Sequence, residues 1–300
     1  MSEHRNGFLP INTNTFDRVF IAVVLFVALA LLSPLGQLGS SAAVGPHTAV
    51  IEVRGVIADQ EEASADNLVG ALREAFEDEN TKGIVLRINS PGGSPVQSGY
   101  VYDEIKRLRA LHPDVKVYAV IADIGASGAY YIASAADEIY ADPASIVGSI
   151  GVIMAGFGLE QAADKLGVER RVFTAGENKG FLDSFSPVAP AQRDHIQEML
   201  GDIHRQFIDS VREGRGDRLK NEENLFSGLV WTGARSVDLG LADKMGSVRQ
   251  VAQEVFSAEE IVDFSDHDSF AERLAKRIGV QLAETLGLGL RESMTGFEWR

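Results

Sequence analysis

The pattern of polar and apolar positions sets the first residues apart from the rest. Val19 to Leu32 is fourteen residues without a polar side chain, and the apolar character continues weakly through Leu35. Arg5 and Arg18 precede this run and the next basic residue after it is Arg54. That asymmetry keeps the N-terminus cytoplasmic and exports the chain beyond residue 40. The run is short beside the roughly 20 residues of a spanning helix. A cleaved signal peptide would need a small-x-small site; Ser40-Ser41-Ala42 offers one, ten residues past Leu32. A buried core helix is excluded, because no polar face interrupts the run. The preferred reading is an uncleaved transmembrane anchor over 19–36, a cytoplasmic tail over 1–18 and a Gly/Ser/Ala-rich linker over 37–47.

From Thr48 onward, strand-like and helix-like patterns alternate. Ala49 to Val53 is a short β-branched run. Ala65 to Glu77 places Leu68, Leu72, Ala75 and Phe76 on one helical face. Gly83 to Ile88 reads as a buried strand closed by Asn89-Ser90-Pro91-Gly92-Gly93, and Val96 to Leu111 as a second helix. Lys116 to Ala122 is another strand, followed by a helix of small residues from about 129 to 136. Glu138 to Ala141 and Val168 to Thr174 are expected as further strands. Pro190 to Arg212 is expected as a long helix burying Ile196, Met199, Ile203, Phe207, Ile208 and Val211. Such alternation predicts an α/β domain with a largely parallel sheet over 48–250. Over 251–300, Phe270, Leu274, Ile278 and Leu282 suit an amphipathic helix.

Composition narrows the chemistry. The 300 residues contain no Cys and 6 His. This excludes disulfides, thiolate metal sites and Cys nucleophiles. No His pair has a metal-binding spacing, and neither a metal nor a cofactor is expected. A net charge of −15 argues against nucleic acid as a partner.

Ligands of such sheets bind beyond the carboxyl ends of the strands, where two glycine-rich turns fall. Ser90-Pro91-Gly92-Gly93 can expose backbone N–H groups of the kind that form an oxyanion hole, or be an ordinary strand-to-helix turn. Ile124-Gly125-Ala126-Ser127-Gly128-Ala129 places one hydroxyl, Ser127, at the mouth of a helix, beside the Gly128 N–H. There Ser127 is either a nucleophile or a helix cap. No His has a suitable context as its base: His47 falls in the linker, and His195 and His204 fall on the solvent side of the long helix. A buried lysine can serve instead. Of eight lysines, Lys179 stands out, lying just past a strand and beside Gly180 and Phe181.

Several segments together resemble a known family. Ile88-Asn89-Ser90-Pro91-Gly92-Gly93, Gly125-Ala126-Ser127-Gly128-Ala129-Tyr130-Tyr131, Gly148-Ser149-Ile150-Gly151-Val152 and Ala175-Gly176-Glu177-Asn178-Lys179 occur in order. Phe226-Ser227-Gly228-Leu229-Val230-Trp231-Thr232-Gly233-Ala234 and Gly240-Leu241-Ala242-Asp243-Lys244-Met245-Gly246 come after them. From about Val50 to Gly246 the chain resembles the signal peptide peptidase A (protease IV, SppA/SohB-like) family of membrane-anchored serine peptidases, peptidase family S49, in its short single-copy form.

The resemblance implies a ClpP/crotonase-like α/β spiral fold and a Ser–Lys dyad. Ser127 would be the nucleophile, Lys179 the general base and Ser149 a hydroxyl that orients the lysine. The Gly128 N–H, with one from Gly92 or Gly93, would form the oxyanion hole. It also implies a homo-oligomeric ring in which Ser127 and Lys179 come from adjacent subunits. The substrates would be apolar peptides, chiefly cleaved signal peptides, on the extracytoplasmic side of the inner membrane. Asn178 departs from the aromatic residue common before that lysine. A related membrane protease acting on stomatin-type proteins, or a non-catalytic crotonase-like scaffold, would share much of this pattern.

Overall fold

A computed structural model describes residues 45–265. The expected anchor at 19–36 and the helical segment around Phe270 to Leu282 lie outside them. Among the described residues no helix is long and apolar enough to cross a membrane.

The elements are β1 (His47–Ile57), α1 (Ala65–Glu77), β2 (Thr81–Gly93), α2 (Pro95–Leu111), β3 (Lys116–Ala126), α3 (Gly128–Ala133), β4 (Glu138–Ala141) and β5 (Ile146–Gly148). Then come α4 (Glu160–Leu166), α5 (Pro190–Arg215), β6 (Val230–Thr232), α6 (Gly233–Asp238), β7 (Lys244–Met245), α7 (Val248–Gln250) and β8 (Ile261–Asp263). The strands form one mixed sheet of order β6-β5-β3-β2-β1-β8, parallel except where β6 meets β5. The edge of β3 is shared: Tyr118 to Ile121 pair with β4, and Ile124 to Ala126 pair with β5. β7 continues the sheet beyond β4.

The period of two along the strands assigns the sheet faces. Ala49, Ile51 and Val53 of β1, Ile84, Leu86 and Ile88 of β2, and Val117, Ala119 and Ile121 of β3 face the main core. There they meet Leu68, Leu72 and Phe76 of α1, Val101, Ile105 and Leu108 of α2, and Tyr130 and Ile132 of α3. The alternate residues Val50, Val85 and Val120 meet Tyr140 and Val251 on the opposite face. Each fully buried Leu, Ile or Val contributes about 1.5–3 kcal/mol, so the larger cluster dominates. α1 starts where Ser64 Oγ accepts the Asn67 N–H at 3.4 Å, and α2 where Ser94 Oγ accepts the Gln97 N–H at 3.3 Å, with Pro95 in its first turn.

Several expectations are corrected. The Val168–Thr174 run forms no strand: it is exposed, with Phe173 94% accessible, and a β-branched run without a neighbouring strand has no ladder to join. Of the stripe expected on α5, Phe207 and Val211 are buried, whereas Ile196, Met199 and Ile203 are only partly covered. His47 opens β1 rather than lying in a linker; it is fully buried, 3.3 Å from Thr81 Oγ1 and stacked on Phe264. His204 does not simply face solvent, for its Nε2 lies 3.0 Å from Ile150 O. The sheet also continues past residue 250, because Ile261, Val262 and Asp263 pair with Thr48, Ala49 and Val50.

α5 is pinned to the sheet by a buried ion pair. Arg215, 1% exposed, meets Asp243 through both terminal nitrogens at 2.8 and 2.9 Å and donates Nε–H to Gly240 O at 2.9 Å. Burial alone would push the Asp243 carboxyl up. Hydrogen bonds and charge from Arg215, a bond from the Ile139 N–H and the charge of Arg218 outweigh it and hold the carboxyl below its usual range.

Candidate active site

The carboxyl ends of β2 and β3 bring the two glycine-rich turns together. β2 stays paired through Pro91-Gly92-Gly93, because Val56 and Ile57 of β1 lie opposite Gly92 and Gly93, past a shift in register after Arg54. A side chain at Gly92 (φ +96°) would lie 2.6 Å from the Gly128 nitrogen and 2.8 Å from Ser127 Cβ. One at Gly128 would collide with Ser98 Oγ and lie 3.2 Å from the Gly93 nitrogen. Glycine at these positions lets two backbone segments touch beside the Ser127 hydroxyl. The two turns do not offer equal donors: the Gly92 N–H already donates to the buried Ser90 Oγ at 3.1 Å.

Ser127 itself is strained. Its φ of 52° and ψ of −124° lie outside the regions open to residues with a Cβ. It precedes α3 but its side chain makes no capping hydrogen bond, so the cap reading fails. The conformation is held from both sides: the Ser127 N–H donates to Gly148 O at 2.8 Å, and Ser127 O accepts the Tyr131 N–H at 2.9 Å. α3 is anchored further by buried Tyr130, which donates to Leu241 O at 2.8 Å. Tyr131 stacks on Phe207 of α5 and accepts from Ser210 Oγ at 2.9 Å.

Ser149 adjoins the Gly148 carbonyl that holds Ser127. It too has positive φ, 52°, and its N–H donates to Leu229 O at 2.8 Å. The structure thus gathers Ser127, Gly128, Gly92, Gly93 and the Gly148-Ser149 turn. No hydrogen bond links Lys179 to them. That residue lies in a turn closed by its N–H on Gly176 O at 3.1 Å, within a stretch exposed from Asp164 to Gly180. Among the described residues its ammonium has no hydrogen-bonding or ionic partner. The same region exposes Ile153 at 85%, Phe157 at 84% and Leu166 at 78%. Among the described residues no group of three or more His, Asp or Glu is placed to hold a metal ion.

Sequence reasoning missed Ser90 and Ser98, which occupy or abut the glycines. The Ser-x-Gly spacing of Ser90 and Gly92 is the signal that would have found the first of them.

Comparison with known proteins places this geometry. Residues 109–261 match the model of Peptidase family S49, and residues 47–146 that of Clp protease. A Brucella abortus protein named "Na(+)/H(+) antiporter NhaA" is 45% identical over 193 residues, 64% of this chain; the chain spans only 26% of that relative. The Synechocystis "Putative protease slr0021" is 33% identical over 68% of this chain and 71% of its own. The Enterococcus faecium "Putative signal peptide peptidase SppA" is 28% identical over 79% and 72% respectively. With its Clp protease-like α/β sheet and its match to the family model over half its length, the chain belongs to peptidase family S49, a family of serine-type peptidases.

Proposed function

We propose that this chain is a membrane-anchored serine endopeptidase that uses a Ser127–Lys179 dyad to degrade apolar peptides, chiefly cleaved signal peptides, outside the cytoplasm. The observation that carries the reading is Ser127: a strained, uncapping serine between glycine-rich turns, in a chain of a serine peptidase family. Lys179 takes the Ser127 proton as Oγ bonds to the substrate carbonyl carbon. The oxyanion meets the Gly128 and Gly93 N–H groups; Gly93 is preferred because Ser90 already occupies Gly92. Collapse breaks the C–N bond, the lysine returns its proton to the leaving amine, and water then releases the acyl group by the same steps. Ser149 orients the amine.

A lysine acts as a base only where burial makes its charged form costly. Lys179 is exposed in the single chain, so its burial has to come from outside. A second copy seated on the apolar surface around Ile153, Phe157 and Phe173 would supply that burial. It would make a homo-oligomeric ring whose active sites are shared between neighbours. The apolar run at 19–36 is the anchor that keeps such rings at the inner membrane. The name of the Enterococcus relative supports the substrate class.

The test is fluorophosphonate labelling with peptide turnover. Wild type labels at Ser127 and cleaves; Ser127→Ala does neither; Lys179→Ala folds and assembles but does not cleave. Mixing Ser127→Ala with Lys179→Ala chains restores activity if neighbours share sites. Normal turnover by Lys179→Ala refutes the dyad, and no recovery in mixed assemblies refutes the sharing.

A further inference from the structure

We propose that Trp231 is a positioning residue that holds the Gly148-Ser149 turn, and through it Ser127, in reactive geometry; the inference rests on reading Ser127 as the nucleophile. Ser127, Gly148 and Ser149 have φ values of 52°, 103° and 52°. Glycine adopts such a value freely, but Ser127 and Ser149 carry a Cβ in a region that is costly for it, so the two serines need support from outside. β6 provides it. Leu229 O accepts the Ser149 N–H at 2.8 Å, and Trp231 stands opposite Val147 in the antiparallel pair. The indole lies against Gly148: a side chain there would meet Cδ1 at 3.0 Å. Gly148 O in turn holds the Ser127 N–H at 2.8 Å. The Leu229–Trp231 segment thus reaches both hydroxyl-bearing residues, Ser149 through a backbone bond and Ser127 through the ring against Gly148.

The indole carries an unusual cost. Its Nε1–H is buried without a hydrogen-bond partner, the sole such side-chain atom among the described residues. A buried donor left unpaired keeps its desolvation penalty, and most buried polar groups have a partner. A purely apolar filler would avoid that penalty. The indole's breadth over Gly148 is what Trp provides and a leucine does not.

The experiment uses the full chain with Trp299 replaced by Phe, which leaves Trp231 as the single tryptophan. The expected result is that Trp231→Leu slows both fluorophosphonate labelling of Ser127 and kcat at least tenfold, with KM within twofold and thermal stability close to wild type. Trp231→Phe, which keeps a flat ring against Gly148, recovers most of the rate. In the single-tryptophan chain, emission changes in step with labelling, because modification at Ser127 disturbs the turn beneath the indole. That readout does not depend on the Leu variant folding. Undiminished labelling of Trp231→Leu, or emission that stays constant while Ser127 is modified, overturns the inference. Absence of labelling in the wild-type chain overturns the role of Ser127 itself.

Discussion

Replacing Ser127 by glycine should stabilise the protein while abolishing its chemistry. With φ 52° and ψ −124°, the serine occupies a region where a Cβ costs about 1–3 kcal/mol. Glycine removes that strain but adds about 0.5–1 kcal/mol of backbone entropy lost on folding. The net expectation is a gain centred near 1 kcal/mol, within a range of about 0–2.5 kcal/mol. For a domain of this size each kcal/mol raises Tm by about 2–4 °C. Ser127→Ala is the control: it loses the same hydroxyl but keeps the Cβ, so its Tm should stay near wild type. Denaturant and thermal unfolding of the three proteins give the comparison, with labelling confirming that both variants are inert. If Ser127→Gly is no more stable than Ser127→Ala, the backbone at residue 127 is unstrained. Strain then does not mark the nucleophile.

The remaining expectations concern the frame around the site. Gly128→Ala should cost about 1–3 kcal/mol by overpacking, because the new methyl collides with Ser98 Oγ. Adding Ser98→Ala should recover at least half of that, a coupling read from a double-mutant cycle. Arg215→Met leaves the largely buried Asp243 only the Ile139 N–H and Arg218 at 3.5 Å, and should cost about 3 kcal/mol in denaturant unfolding, the low end for a broken buried pair, whereas the Arg215→Met/Asp243→Asn double variant loses less. Glu104 is held down to about 2, first by hydrogen bonding to Arg107, then by Arg73, against the opposing effect of burial. Its folded-state value is depressed, so its contribution is complete above the unfolded value near 4.5 and is lost as pH falls toward 2. At about 1.4 kcal/mol per unit this is at most about 3 kcal/mol, and Glu104→Gln should flatten the stability–pH curve in that window.

Where sequence reading succeeded and failed has physical causes. Ala65–Glu77 was legible to the residue because a capping serine and a clear apolar stripe are both local signals. β2 and β3 outran their apolar cores: the glycines of Pro91-Gly92-Gly93 stay in the sheet by pairing with β1, and pairing partners are not written in the segment itself. The same cause, reversed, explains Val168–Thr174, whose composition favours a strand but which has no edge to join. α5 showed an apolar stripe over its whole length, yet only its second half, from Phe207 on, is buried, against Tyr131 and Tyr102 of the neighbouring helices. Ser127 and the glycines around it were readable as candidates from their spacing. The backbone strain that separates a nucleophile from a cap, and the Ser90 bond that separates Gly93 from Gly92, depend on angles and distances that composition does not carry. Arg215 and Asp243 stand 28 positions apart, so their pairing was invisible.

The order of strands also has a consequence for when the domain becomes whole. β1 to β5, the Ser127 turn included, are contiguous in the chain and can pair as they are made. β8 must return across more than two hundred positions to lie beside β1: Thr48 pairs with Ile261, and its hydroxyl donates to Ala258 O at 2.8 Å. Contacts of such long sequence separation form late, because the loop entropy is spent before they repay it. The first strand therefore keeps an open edge until the 258–263 segment has emerged and crossed over. A chain halted before that point during synthesis carries Ser127 on a sheet whose first strand still lacks a neighbour on one side.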